Sequence, residues 1–221
     1  GCRTFKDSTA CADCTIAELV QSYSIKSQVV ISHIRKANRG KVGLENTHPF
    51  MRELWGRYWT FAHNGQIKGI KKRLKELKKS QSLNFQPVGT TDSEAAFCYI
   101  LNRIHREFEG YPNTKKRLWA FIAELSRDLS SQGVFNILLS EGKHLFSHCN
   151  KELYWITRKA PFGSATLKDA DITIDFQQKT MKEDVVTIIA SNPLTRDEKW
   201  GKLKQQTGIL FCKGEIMQRY A

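Results

Sequence analysis

The sequence lacks the features that mark membrane, secreted and repeat proteins. No apolar run approaches the ~20 residues that a membrane-spanning helix requires. The first residues, GCRTFKD, contain no apolar signal-peptide segment, and we find no internal repeat, linker or low-complexity tract. Because 221 residues can bury a full hydrophobic core, we expect one domain over residues 1–221, located in the cytoplasm.

Cysteine is sparse and forms no framework, which is typical of reduced thiols in an intracellular protein. Cys11-x-x-Cys14 has the spacing of half a zinc site. No second pair follows at zinc-ribbon spacing, and His144-x3-His148 lacks the rest of a zinc-finger pattern. We therefore expect no metal and no cofactor. The six cysteines are Cys2, Cys11, Cys14, Cys98, Cys149 and Cys212.

Acidic residues are outnumbered: 22 Asp and Glu stand against 35 Lys and Arg, which gives a net charge of +13. Such an excess permits association with nucleic acid or other anionic surfaces but does not indicate a fold. Much of it is concentrated in residues 71–79, where apolar residues at helical spacing predict an amphipathic helix with a basic outer face. Such a face is more often solvated than ligand-binding. The alternative function is a module that binds RNA or an acidic partner through Lys71–Lys79.

The order of predicted elements indicates an α+β fold. Apolar runs at residues 29–31 and 58–62 predict two strands. Helices are predicted at 15–23, 67–77, 94–108 and 118–129, the third opened by Thr91 and Glu94 at capping-box spacing. Period-two patterns then predict strands at 134–139, 144–149, 153–157, 172–176, 185–190 and 208–212. This order favours helices layered on antiparallel sheet.

Polar residues follow the first two predicted strands. His33-x-Arg35 comes after the first strand, and His63-Asn64-Gly65 comes after the second. Side chains at adjacent strand ends converge, so this arrangement is typical of an active site. The alternative is a buried arginine with structural partners and a tight Asn-Gly hairpin turn.

Four motifs follow one another along the chain: His33-x-Arg35-x-Ala37-x-x-Gly40, Asn46-x-His48-Pro49, His63-Asn64-Gly65 and Thr91-Asp92-Ser93-Glu94. In this order they resemble the motifs of class II glutamine amidotransferase domains, and the resemblance covers nearly the whole chain. It is strongest to stand-alone bacterial members. These domains are N-terminal-nucleophile hydrolases, so the resemblance implies a four-layer α/β/β/α sandwich with two antiparallel sheets. It also implies hydrolysis of the glutamine side-chain amide through a cysteine thioester, which releases ammonia and glutamate. The implied partner is L-glutamine, with no membrane or nucleic acid, and the ammonia acceptor is not indicated.

The resemblance assigns a role to six residues. Arg35 has the planar fork that suits the glutamine carboxylate, and Asp92 supplies an anion for the ammonium group. His48 and His63 are expected to bind substrate with them. The side-chain amide of Asn64 and the backbone N–H of Gly65 resemble the oxyanion hole of the family, where one donor is typically worth ~3 kcal/mol of barrier.

Two departures from the family pattern concern the substrate contacts and the nucleophile. Lys36 and Asn38-Arg39 stand where many relatives have Trp and Thr-His. The family nucleophile is a cysteine that begins the mature chain and uses its own α-amino group as base. Cys2 follows Gly1, so its nitrogen is an amide, and residues 3–7 do not read as the apolar strand that should follow. We therefore expect a domain that is incomplete at its N-terminus, without the nucleophile segment, and inactive as it stands. A non-catalytic relative is the other interpretation.

Overall fold

The computed structural model describes residues 1–9, 14–23, 25–34, 42–80, 82–170, 172–176 and 181–221. Arg35, the residues up to 41, and Cys11 therefore lie outside the described residues. The helices are α1 (Thr15–Ser22), α2 (Ile70–Ser80), α3 (Asp92–Glu107) and α4 (Lys115–Ser130). The strands are β1 (Phe50–Leu54), β2 (Arg57–Ile67), β3 (Gly133–Ser140), β4 (His144–Cys149), β5 (Tyr154–Lys159), β6 (Ser164–Thr166), β7 (Thr173–Asp175), β8 (Val185–Ala190), β9 (Gly201–Lys202), β10 (Thr207–Cys212) and β11 (Glu215–Tyr220).

A six-stranded antiparallel sheet in the order β1-β2-β3-β4-β10-β11 organises the chain. Its longest strand is β2, whose side chains alternate between two faces. Trp59, Phe61 and His63 are buried on the face toward the helices, whereas Asn64 is exposed. Phe61 stacks on Phe97 of α3 with ring centroids 5.2 Å apart. One face of β2 therefore packs in the core under the helices, and the other face carries the exposed Asn64.

Helices α2, α3 and α4 form one layer on this sheet. The apolar residues Ile70, Leu74 and Leu77 of α2 are buried, as the helical spacing predicted. Ile67, which was predicted to begin this helix, is the last residue of β2. Three of the basic residues of α2 have intramolecular partners. Lys71 Nζ donates to the Thr90 carbonyl at 2.5 Å, Arg73 forms an ion pair with Asp128 at 2.6 Å, and Lys72 lies 4.0 Å from Glu76. None of the described helices is both long enough and apolar enough to cross a membrane.

The opposite face of the large sheet packs against a second sheet, which has the order β8-β5-β9. Ile209 and Phe211 of β10 form a second buried cluster with Cys149, and Trp155 and Ile189 of the smaller sheet pack against it. The predicted α+β sandwich with antiparallel sheets is confirmed.

Two interpretations of the sequence near the start of the chain are wrong. Residues 29–31 have strand propensity but form no regular secondary structure, because a strand also requires a hydrogen-bonded neighbour. Asn64-Gly65 is not a turn, because β2 continues to Ile67 and pairs with β3 as far as Gly133. Strand β1, which forms a hairpin with β2, was not predicted. β11 was not predicted either. It lies at the edge of the large sheet and most of its side chains are exposed, so its sequence does not alternate between buried and exposed residues.

His148 makes the stability of this core depend on pH. The Ser130 hydroxyl donates to the Ser126 carbonyl, so His148 Nε2–H donates to Ser130 Oγ at 2.7 Å, and Nδ1 has no partner among the described residues. Burial and the nearby charge of Arg127 lower the pKa of His148 from 6.5 to about 4. Between pH 6.5 and about pH 4 the unfolded chain therefore binds a proton that the folded chain does not. The free energy of unfolding consequently decreases as the pH is lowered.

We expect this histidine to remove about 3 kcal/mol of unfolding free energy between pH 7 and pH 4. The loss should be absent in His148→Phe, which keeps an aromatic ring but cannot bind a proton. Urea unfolding at both pH values measures it, with His105→Phe on the exposed face of α3 as the matched control. Parallel stability curves for the unmodified protein and His148→Phe would contradict this account.

Candidate active site

The end of β2 and the first turn of α3 are joined by a hydrogen bond. Asp92 is the first residue of α3, and its Oδ2 accepts from the backbone N–H of Ile67 at 2.8 Å. Its Oδ1 accepts from the N–H of Ser93 at 3.0 Å. Each carboxylate oxygen can accept a further hydrogen bond, and Asp92 is only half-buried. The structure thus places a carboxylate at the end of the strand that carries Asn64 and Gly65.

Each residue of the Thr91-Asp92-Ser93-Glu94 motif has a different partner. The Thr91 hydroxyl accepts from the Glu94 N–H at 3.1 Å, so the predicted N-cap is confirmed. Glu94 does not reach back as in a full capping box. It accepts instead from Arg52 of β1 at 2.5 Å and from the N–H groups of Val88 and Gly89. Its carboxylate therefore fastens the loop before α3 to β1.

Asn46 fastens the same loop from another direction. It is 1% exposed, and its Oδ1 accepts from the Thr90 N–H at 2.8 Å. Sequence reasoning gave Asn46 and Ser93 no separate role and gave Glu94 only a capping role. Their place within the recognised motifs was the available signal. Asn46 and Glu94 accept hydrogen bonds from the backbone just before Asp92. They hold this loop in place and have no assigned contact with a substrate.

His63 lies behind the strand, on the helix side. It is 3% exposed, its Nδ1 lies 2.9 Å from Ser93 Oγ, and its Nε2 lies 3.0 Å from the Val134 carbonyl oxygen. A carbonyl only accepts, so Nε2 carries the proton and Ser93 donates to Nδ1. Burial lowers the pKa of His63, although the bond to Val134 and the charge of Asp92 oppose this. His63 is therefore a neutral histidine held between two elements.

Gly65 lies at a close approach of β2 and β3. Its φ is +149°, and a Cβ built on it would lie 1.9 Å from the Val134 carbonyl oxygen and 2.9 Å from His63 Nε2. Only glycine avoids this overlap. The neighbouring Asn64 is exposed on the opposite face, where its partner in the pairing with β3 is Asn136. Asn136 Oδ1 accepts from the N–H groups of residues 150 and 151, which fixes it beside Asn64.

His48 lies in another part of the structure. Its ring centroid is 4.2 Å from that of His33 and 4.6 Å from that of Phe50. It lines a cleft of about 1070 Å³ between the N-terminal residues and β2, whose described walls include Tyr58 and Thr60 but none of Asn64, Gly65 and Asp92. Of the six predicted site residues, the structure thus brings Asn64, Gly65, His63 and Asp92 into one region. Arg35 lies outside the described residues.

Both the sequence and the structure are similar to those of known proteins. The family model described as "Glutamine amidotransferases class-II" matches residues 1–221. The chain is 51% identical to YafJ of Escherichia coli strain K12 over 215 residues, which cover 97% of this chain and 82% of YafJ. The structure of a predicted glutamine amidotransferase from Pseudomonas aeruginosa superposes with a TM-score of 0.69 at 46% identity, covering 84% of this chain and 70% of that chain.

A more distant structure supports the fold alone. Glutamine phosphoribosylpyrophosphate amidotransferase from B. subtilis superposes with a TM-score of 0.50 at 14% identity, covering 86% of this chain and 34% of that chain. The fold is of the N-terminal-nucleophile hydrolase type that the motifs implied. With a family model that spans every residue and a relative that shares half of them, the chain belongs to the class II glutamine amidotransferases.

Proposed function

We propose that this domain binds L-glutamine and hydrolyses its side-chain amide. The observation that carries the proposal is the Asp92–Ile67 hydrogen bond, which places a carboxylate beside the strand that presents Asn64 and Gly65. Glutamine has an ammonium group at one end and an amide at the other. Asp92 would bind the ammonium group, and Arg35 would bind the carboxylate, as the family resemblance implies.

The reaction is acyl transfer through a thioester. A cysteine thiolate attacks the amide carbon, and the electron pair of the C=O bond moves to oxygen. Asn64, through its side-chain NH2, and Gly65, through its backbone N–H, would donate to that oxyanion. Its collapse breaks the C–N bond, and the nitrogen takes up a proton and leaves as ammonia. Water then hydrolyses the thioester to glutamate. Exposure of Asn64 on the face away from the helices supports this role.

The alternative binding module receives less support. Three of the six basic residues of α2, namely Lys71, Lys72 and Arg73, pair with groups within the protein. Lys72, Lys75, Lys78 and Lys79 remain exposed, as a solvated helix face would be. Retention on RNA that is lost at higher salt would favour the alternative.

The proposed function is tested by Asn64→Ala, measured in protein that begins with the family's cysteine. Loss of one oxyanion donor should lower kcat for glutamine by about 10²–10³-fold and leave KM little changed. Gln66→Ala is the matched control, because Gln66 is exposed two residues further along the same face of β2. It should stay within about threefold of the unmodified enzyme. Glutamate and ammonia are both measured. Equal activity of the two variants would remove Asn64 from the mechanism, and no product from any form would favour the non-catalytic relative.

A further inference from the structure

His63 connects two parts of the site that are distant in sequence. Through Nδ1 it binds Ser93, the neighbour of Asp92 in the first turn of α3. Through Nε2 it binds the carbonyl of Val134, in the strand that pairs with β2. The ring is buried on the helix side of β2, whereas Asn64 is exposed on the other side. His63 therefore faces away from the surface on which a substrate would meet Asn64.

The Val134 carbonyl also contacts the back of Gly65. The space that a Cβ of Gly65 would fill is occupied by this oxygen, which would lie 1.9 Å away, so nothing separates the carbonyl from the glycine. A carbonyl that is pressed against a backbone fixes the orientation of that backbone. The Nε2–H of His63 in turn fixes the direction of the carbonyl, because it donates to the same oxygen at 3.0 Å.

We propose that His63 is a positioning residue, which holds the Val134 carbonyl against Gly65 and so orients the oxyanion hole. The bond to Ser93 fixes the plane of the ring and ties this arrangement to the turn that carries Asp92. This inference rests on the proposed function, and it replaces the expected contact of His63 with glutamine by an action through Val134.

Two conservative variants distinguish the hydrogen bond of His63 to Val134 from its hydrogen bond to Ser93. In His63→Gln the side-chain amide N–H reaches about as far as Nε2 and can still donate to Val134. In His63→Asn the shorter side chain can accept from Ser93 but does not reach Val134. We expect His63→Asn to lower kcat at least tenfold, and His63→Gln to restore it to within about threefold of the unmodified enzyme. KM for glutamine should change less than twofold in both, since Asp92 and its bonds are unaltered.

Kinetics are measured with glutamine in protein that begins with the family's cysteine, with urea unfolding of both variants alongside. If His63 were only structural, the kcat of each variant would follow its stability. His63→Gln would then have no higher kcat than an equally stable His63→Asn. Equal kcat in the two variants would overturn the inference. An increase in KM with unchanged kcat would overturn it too, because it would make His63 a substrate contact.

A second readout does not depend on turnover. In the ¹H–¹⁵N spectrum, the amide signal of Gly65 should move in His63→Asn and remain near its original position in His63→Gln. If the unmodified enzyme does not hydrolyse glutamine, the proposed function fails, and the Gly65 signal still decides whether His63 orients this peptide. Equal displacement of that signal in both variants would refute the positioning role.

Discussion

Residues 1–221 on their own should release no ammonia from glutamine, and Cys2→Ala should not change that result. Burial raises the pKa of Cys98 to about 12 and that of Cys149 to about 11, so neither supplies a thiolate at neutral pH. Cys14 donates its thiol to Asp7 at 3.3 Å. Cys212 lies on β10, three strands from β2 and roughly 14 Å from it at the usual spacing.

Cys2 is exposed, but it has no base of its own. Its nitrogen is the amide that follows Gly1, and its thiol contacts the carbonyl of Arg3 at 3.8 Å. An α-amino group or a neighbouring histidine would be required to activate it. We therefore expect glutamine turnover only where the family's cysteine, as the first residue of the chain, supplies both the thiol and its own α-amino base.

The measurement compares glutamate and ammonia produced by residues 1–221 and by a form that begins with the family's cysteine, each with and without Cys2→Ala. Turnover by residues 1–221 that disappears in Cys2→Ala would make Cys2 the nucleophile. A cysteine-first form that is active with alanine in place of that cysteine would refute the thioester mechanism.

Gly65→Ala replaces one hydrogen atom with a methyl group. We expect it to be the most destabilising substitution of this size in β2. Its methyl group would lie 1.9 Å from the Val134 carbonyl oxygen, and the backbone φ of +149° is unfavourable for any residue with a Cβ. The strands can relieve this overlap only by separating where Gly65 pairs with Phe135, whose side chain is fully buried. We expect a loss of roughly 3 kcal/mol or more in unfolding free energy.

Urea unfolding measures the loss, and Gly163→Ala is the control. Gly163 has no atom within 4 Å of an added Cβ and no positive φ, so its substitution should change stability by less than about 0.5 kcal/mol. Equal midpoints for the two variants would show that β2 and β3 can move apart at little cost. Any folded Gly65→Ala protein should also have a misplaced backbone N–H and therefore a lower kcat.

Periodicity was sufficient for most of the fold, because it depends on which face of an element is buried. The strands at 144–149 and 185–190 were predicted at their observed bounds, and Thr91 was recognised as an N-cap from spacing alone. The partners of His63 could not be predicted in this way. Ser93 is 30 residues away and Val134 is 71 residues away, and no local pattern records such contacts. The run at residues 29–31 failed for the same reason, since pairing is a tertiary property.

The alternation along β2 limits how this protein can change in length. His63 and Asn64 are neighbours in sequence but belong to opposite sides of the sheet. Inserting or deleting one residue inside the strand would exchange them, turning the amide into the core and the imidazole outward. The turn at Trp55 and Gly56 is different, because both residues already have positive φ and lie outside the strands. We expect natural length variation between relatives to occur at that turn and not within residues 57–67.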